Sequence, residues 1–115
     1  MNIKEEILEH TNRGLEIFCF YMPIDFVPKR NFRNPLYKDK RASCNIYLDT
    51  KSQCYRMKDF GNEAYSGDCF WFAATMLGLD VRADFKKVLL TIIQDLNLNI
   101  TIDFKTEENR KTKSF

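Results

Sequence analysis

The spacing of the apolar residues changes twice along this chain of 115 residues. From Ile3 to Met22, apolar side chains recur at three- and four-residue steps, which is typical of an amphipathic helix. Between about Ile24 and Phe60 the spacing becomes two, as in strands with one buried face. After Asp68 the spacing is helical again. The chain is therefore predicted to form an α+β domain, in which a small antiparallel sheet packs with one N-terminal helix and two C-terminal helices.

Capping residues predict where the helices begin and end. Asn2 and Glu5 form a capping box at the start of the first helix, and Pro23 ends it. Gly14 weakens this helix, so a break between Asn12 and Gly14 is an alternative. Two further helices are predicted to end at positions 77 and 96, with two candidate caps each: Ser66 or Asp68 for the first, and Asp80 or Asp84 for the second.

Three short antiparallel strands are predicted in the central segment, at 32–36, 44–48 and 53–58. A polar turn at 49–52 joins the second strand to the third. Ile100, Ile102 and Phe104 alternate with polar residues and predict a terminal strand. The expected organisation is one domain over 1–104, followed by a polar tail or the start of a linker over 105–115.

Positive charge is concentrated in the strand region. Between Lys29 and Lys58 there are nine basic residues and two acidic ones, a net charge of +7 in a chain whose total is +2, so the remainder carries −5. A basic sheet between acidic helices is typical of a small nucleic-acid-binding module. The alternative is a solvated face whose charges only keep the domain soluble.

Composition narrows the cellular setting. No stretch reaches the roughly 18 consecutive apolar residues that a membrane-spanning helix needs, and the first residues are too polar for a signal peptide. A cytoplasmic protein without a membrane partner is therefore expected. The four cysteines contain no Cys-x-x-Cys pair, so buried inert thiols are expected. Cys44 and Cys54 could instead face each other across a hairpin and form a redox pair.

Three short motifs follow one another in a fixed order. They are Asn34-Pro35-Leu36-Tyr37, Met57-Lys58-Asp59-Phe60-Gly61 and Ser66-Gly67-Asp68. In order and spacing they resemble the primase zinc-ribbon family, whose pattern is Cys-Pro-Phe/Leu-His, a strand pair, Cys-x-x-Cys-Gly, and Gly-Asp at the start of a helix. The resemblance extends over roughly residues 3 to 98. On this pattern the four zinc-ligand positions are occupied by Asn34, Tyr37, Met57 and Phe60.

The resemblance implies a zinc-ribbon-like fold that binds single-stranded template DNA, in DNA replication or a mobile element, with a Toprim catalytic domain or a helicase as partner. It does not imply a bound metal, because an amide, a phenol, a thioether and a phenyl ring cannot replace the zinc ligands. No cofactor is expected. Instead, Tyr37, Met57 and Phe60 are expected to bury apolar surface together, while Asn34 bonds backbone amides. The alternative is a displaced zinc site that uses His10 or nearby cysteines.

Basic residues interleaved with aromatic ones suit single strands, because phosphates meet the cations while bases stack on exposed rings. Two tyrosines, Tyr47 and Tyr55, are candidates for stacking, although ordinary packing on the sheet would also explain each of them. The candidate cations are Arg30, Arg33, Lys38, Lys40, Arg41, Arg56 and Lys58.

Catalysis has little support in the sequence. There is one histidine, no Gly-rich phosphate loop and no Asp-x-Asp pair for magnesium. Asp68 is expected to cap a helix, and Asp59 to stabilise the turn before Gly61. The chain is therefore predicted to bind rather than to catalyse. The second hypothesis is a protein-interaction module that docks on a replication partner through its acidic helices or through residues 69–77.

Overall fold

A computed structural model describes residues 2–38 and 41–100 of the chain. Within these residues the α+β prediction is confirmed, with four α-helices and one three-stranded antiparallel sheet. A short 3-10 helix, Glu63–Tyr65, precedes the third strand. The elements are α1 (Ile3–His10), α2 (Leu15–Tyr21), β1 (Cys44–Asp49), β2 (Cys54–Asp59), β3 (Gly67–Asp68), α3 (Cys69–Leu77) and α4 (Phe85–Asp95).

The N-terminal helical region is broken where the sequence allowed a break. Asn12 and Arg13 have φ values of 53° and 56°, and Gly14 has a φ of 94°. A Cβ atom at Gly14 would lie only 2.8 Å from the Sγ atom of Cys69 in α3, so the position requires glycine for space as well as for conformation. After the break, α2 packs against α3, whereas α1 contacts α4.

The caps of the helices agree with the sequence in most places. Asn2 accepts a hydrogen bond of 2.7 Å from the backbone N–H of Glu5 and so caps α1. Asp68 caps α3 by accepting from Trp71 N–H at 2.9 Å. Ser66, the other candidate for this cap, instead accepts from the N–H of Asp59. Of the two candidate caps for α4, Asp80 and Asp84, it is Asp84 that lies at the N-cap position.

The predicted strand at 32–36 is wrong. Phe32 forms an isolated antiparallel bridge with Cys44, and the chain then turns over 35–38. The cause is local, because the side-chain oxygen of Asn34 accepts the N–H of Leu36 at 2.8 Å and so replaces strand pairing with a turn. The third strand is instead β3, formed by Gly67–Asp68, where the sequence predicted only the entry to a helix.

The β1–β2 hairpin confirms the other two predicted strands and sets their register. Cys44 pairs with Asp59 at one end of the hairpin, and Asp49 pairs with Cys54 at the other. The two cysteines therefore lie at opposite ends of the hairpin, and the hypothesis that they face each other is wrong. All four cysteines are free thiols, three of them buried and Cys19 exposed.

The core lies between one face of the sheet and the helices. Its centre is aromatic, with the ring centroids of Phe18 and Phe72 5.4 Å apart. Most apolar side chains of α3 are buried there: Cys69, Phe70, Phe72, Ala73 and Ala74. Among the helices described, none is long and apolar enough to cross a membrane. The predicted terminal strand beyond Ile100, the domain limit at 104 and the tail at 105–115 lie outside the described residues.

Candidate nucleic-acid interface

The register of β1 and β2 divides their side chains between two faces. Directly opposite residues of an antiparallel pair point to the same side. Ile46 and Met57 are opposite each other and fully buried, so they mark the core face. Tyr47 and Arg56 are the next pair and lie on the other side, which we call the outer face. Both are half-buried, which leaves part of each side chain accessible to a ligand.

An exposed aromatic ring extends this outer face. Alternation along β2 places Lys58 on the same side as Arg56, and the ammonium of Lys58 lies 5.2 Å from the ring centroid of Phe60. Phe60 is 63% exposed. The expectation that Phe60 joins a buried cluster is therefore wrong, because the buried side chains of Met57 and Asp59 point to the opposite side. We call Tyr47, Arg56, Lys58 and Phe60 the outer-face cluster.

The two tyrosines proposed for stacking do not share a face. Tyr55 pairs with Leu48 and packs against the core. Tyr47 lies on the outer face, opposite Arg56. A single ligand on the sheet surface can therefore stack on Tyr47 and Phe60, whereas Tyr55 contributes to packing.

A basic segment runs beside β1. The N–H of Lys29 donates to the carbonyl of Ile46 at 2.9 Å, which holds this segment against the free edge of the strand. Asn45, on the outer face, donates from its side-chain amide to Asn31 at 2.8 Å, so the segment adjoins the outer-face cluster. The exposed cations of this segment are Lys29, Arg30 and Arg33.

The remaining candidates lie on the turn that follows. Lys38 and Arg41 are exposed. Lys40 lies outside the described residues. The described cations therefore lie on the outer face, on the segment beside β1, and on the turn whose residues Asn34 and Tyr37 bond Asp59. The sequence analysis did not predict that the ring of Phe60 lies exposed beside Lys58, although its i, i+2 spacing from Lys58 was a usable signal.

A fully buried carboxylate holds this region together. The side chain of Asp59 has no exposed surface. Its Oδ2 atom accepts from Asn34 Nδ2 at 2.9 Å and from the Tyr37 hydroxyl at 2.6 Å. Its Oδ1 atom accepts from three donors: Ser43 Oγ at 2.9 Å, Gly61 N–H at 2.8 Å and Asn62 N–H at 3.2 Å.

These hydrogen bonds determine the charge of Asp59. Burial raises the pKa of the carboxyl, but the bonds from Tyr37, Asn34, Ser43 and the Gly61 amide outweigh burial, so the pKa lies well below its usual range. The group is therefore ionised at neutral pH, and each of the bonds it accepts is charge-assisted. The expected role of Asp59 in the turn before Gly61 is confirmed, and the side-chain donors extend it.

The four positions that correspond to zinc ligands do not form a metal site. Asn34 and Tyr37 meet at Asp59, whereas Met57 lies in the core opposite Ile46 and Phe60 lies outside. Neither their chemistry nor their placement fits tetrahedral zinc. Asn34 does bond a backbone amide, as expected. Of the expected apolar cluster, Tyr37 has an aromatic neighbour, with its ring centroid 4.8 Å from that of Tyr65.

The part of the chain that the structure describes does not offer a displaced zinc site either. Over residues 2–38 and 41–100, no group of three or more His, Cys, Asp or Glu side chains could hold a metal ion. His10 lies exposed at the end of α1, with its Nδ1 atom 2.8 Å from the carbonyl of Glu6.

No family model, curated protein or solved structure matches the chain. The resemblance to the primase zinc ribbon therefore rests on the three sequence motifs alone. What the chain binds is therefore inferred from the geometry of the outer face and of the Asp59 carboxylate.

Proposed function

We propose that this chain is a binding domain for single-stranded DNA, which lies across the outer-face cluster. The observation that carries the proposal is the exposed ring of Phe60 with the Lys58 ammonium 5.2 Å from its centroid, on the side of the sheet that bears Tyr47 and Arg56. Exposed rings next to cations suit a strand whose bases are unpaired, because the rings accept bases and the cations accept phosphates.

The surrounding charges favour the same ligand. Arg30 and Arg33 lie on the segment beside β1, and Lys38 and Arg41 lie on the turn that follows. The segment beside β1 adjoins the outer face, so a strand that crosses this face and extends past it is expected to meet such cations, which adds a salt-dependent term to the affinity. A duplex hides the faces of its bases, so stacking on Phe60 and Tyr47 favours single strands.

The biological role follows from the resemblance. The domain would hold template for a polymerising partner such as a Toprim catalytic domain, or act with a helicase, in replication or in a mobile element. It needs no metal and performs no catalysis itself in this proposal. A cytoplasmic location suits a domain whose four cysteines are all free thiols, because that compartment keeps thiols reduced.

One of the two surfaces considered for docking on a partner protein is mostly buried in the core. The apolar side chains at 69–77 were candidates for contact with a partner protein, but most of them form the core, including Phe70 and Phe72. Docking through the acidic helices remains the competing function, and it predicts no affinity for oligonucleotides.

Fluorescence anisotropy with a labelled oligothymidylate at two salt concentrations tests the proposal. The expected result is binding that weakens steeply with salt, since neutralised phosphates release counterions. Lys58→Glu should lower the affinity several-fold. Lys87→Glu makes the same change of charge on α4 and should leave the affinity near that of the wild type. Absence of binding at low salt would overturn the proposal and favour docking.

A further inference from the structure

We propose that Asp59 is the positioning residue of this DNA-binding surface. Its carboxylate holds the basic turn, by which we mean residues 34–38 with 41–43, and the turn at 59–62 in one arrangement, and so fixes Arg33 and Lys38 in position relative to the ring of Phe60. The inference rests on the proposed function, and it assigns to Asp59 a role that requires no contact with DNA.

The basic turn is attached to β2 by side-chain hydrogen bonds to Asp59. Beyond Phe32, which bridges to Cys44 in β1, the chain turns away from the sheet. Asn34, Tyr37 and Ser43 then donate side-chain hydrogen bonds to Asp59 at 2.9, 2.6 and 2.9 Å. Two of these anchors are direct neighbours of exposed cations: Arg33 precedes Asn34, and Lys38 follows Tyr37.

Backbone hydrogen bonds on both sides of Phe60 determine where its ring lies. The residues after it, Gly61 and Asn62, donate their N–H groups to Asp59 Oδ1. The N–H of Phe60 itself donates to the carbonyl of Ser43 at 2.9 Å. The backbone on which the ring stands is therefore joined both to Asp59 and to the end of the basic turn.

The basic turn and the turn at 59–62 bond the same acceptor, the carboxylate of Asp59. Five donors from two segments meet a single ionised group, so the segments are fixed relative to each other as well as to β2. When a buried charged acceptor is removed, the hydrogen bonds to it are lost at a cost in free energy that favours opening of the site. Opening would separate Arg33 and Lys38 from Phe60 without removing either cation.

Asp59→Asn tests this role with a measurement that needs no ligand. The amide keeps the size of the carboxylate, but it removes the charge and one acceptor. Limited trypsin digestion after Arg33, Lys38 and Arg41, followed by mass spectrometry, should be roughly tenfold faster or more in the variant, because cleavage of a locally opened segment follows its open population. Asp80→Asn is the matched control, since Asp80 also accepts two backbone N–H groups but lies far along the chain, before α4.

Binding supplies the second measurement. In Asp59→Asn the slope of log affinity against log salt should fall by about 0.7 for each phosphate contact that is lost. A variant that is less stable but makes the same phosphate contacts has fewer folded molecules, and those molecules show the same slope as the wild type. Tyr37→Phe removes one donor and should give an intermediate change in both measurements, which keeps the proposal testable where Asp59→Asn does not fold.

The outcomes separate the two proposals. Normal binding by the wild type, with unchanged cleavage and slope in Asp59→Asn and Tyr37→Phe, would overturn the positioning role alone. Absence of binding by the wild type at low salt would overturn the DNA-binding function and this role together. Faster cleavage with a lower slope, in these variants but not in Asp80→Asn, would support both.

Discussion

The hydroxyl of Tyr37 donates a 2.6 Å hydrogen bond to Oδ2 of Asp59, a fully buried carboxylate 22 residues further along the chain. Both residues belong to motifs that resemble the primase zinc ribbon, but only Tyr37 occupies a ligand position. The carboxylate of Asp59 also accepts from Asn34, Ser43, Gly61 and Asn62, so it joins the segment at 34–37 to the turn at 59–62. We therefore expect these charge-assisted hydrogen bonds to stabilise the domain.

Removal of the Tyr37 hydroxyl should destabilise the domain. We expect Tyr37→Phe to lower the free energy of unfolding by roughly 1.5–3 kcal/mol, the usual contribution of a hydrogen bond to a charged group. Urea denaturation followed by circular dichroism measures the change. Tyr47→Phe is the control, since the Tyr47 hydroxyl lies on the outer face, and it should shift the free energy by less than about 0.5 kcal/mol. Equal effects of the two variants would contradict the prediction.

The hydrogen bonds of Asp59 explain why part of the fold was not predictable. Its side-chain donor Asn34 lies 25 residues away in sequence, a separation that no local pattern reports. The alternation at 32–36 favoured a strand, but Asn34 bonds the N–H of Leu36 and turns the chain. A hydrogen bond within the segment thus overrode the alternation, and the bond from Asn34 to Asp59 fixes the turn against β2.

The helices and the hairpin were predictable, because their signals are local. Apolar periodicity and the caps at Asn2 and Asp68 gave the start of α1 and both ends of α3 to within a residue or two, whereas the first helix was expected to continue to Pro23. The break at Gly14 was visible as an alternative. For the candidate site, the excess of cations was predictable, but the faces were not, because the register of β1 and β2 decides that Tyr55 points to the core and Phe60 away from it.

Stability should depend on pH through Asp59. The pKa of this carboxyl is below its usual range in the folded domain, whereas an unfolded aspartate titrates near about 3.9. The unfolded state therefore binds the proton first as the pH falls. The stabilisation is complete above the unfolded value and is lost as the pH drops below it towards the folded pKa. Urea midpoints at a series of pH values between neutral and acidic measure the effect.

Asp59→Asn is the comparison for this pH dependence. The variant should be less stable than the wild type at neutral pH, and the difference between them should narrow as the solution becomes acidic, because the wild-type carboxylate is then protonated. A difference that stays constant over the whole series would show that the charge of Asp59 does not contribute.

Substitution of Gly14 and of Gly78 by alanine separates the cost of backbone strain from the cost of steric crowding. Gly14 and Gly78 both have positive φ values, 94° and 73°, so alanine at either costs about 1–2 kcal/mol of backbone strain. At Gly14 the new Cβ atom would also approach Cys69 Sγ to 2.8 Å, whereas at Gly78 nothing lies within 4 Å. Gly14→Ala should therefore destabilise the domain by a further 1–3 kcal/mol or so relative to Gly78→Ala. Equal unfolding free energies would contradict the close packing of this loop on α3.

Replacement of Phe60 should weaken DNA binding and leave the fold intact. The ring is 63% exposed, so Phe60→Ala should change the free energy of unfolding by less than about 0.5 kcal/mol. A lost base–aromatic stack costs about 1–3 kcal/mol, which lowers the affinity by roughly 5- to 150-fold. Anisotropy with the labelled oligothymidylate measures this loss. Phe20, 53% exposed on α2, supplies the matched control. A loss in Phe60→Ala alone would locate stacking on the outer face, whereas equal affinities of the two variants would remove the ring from the proposed site.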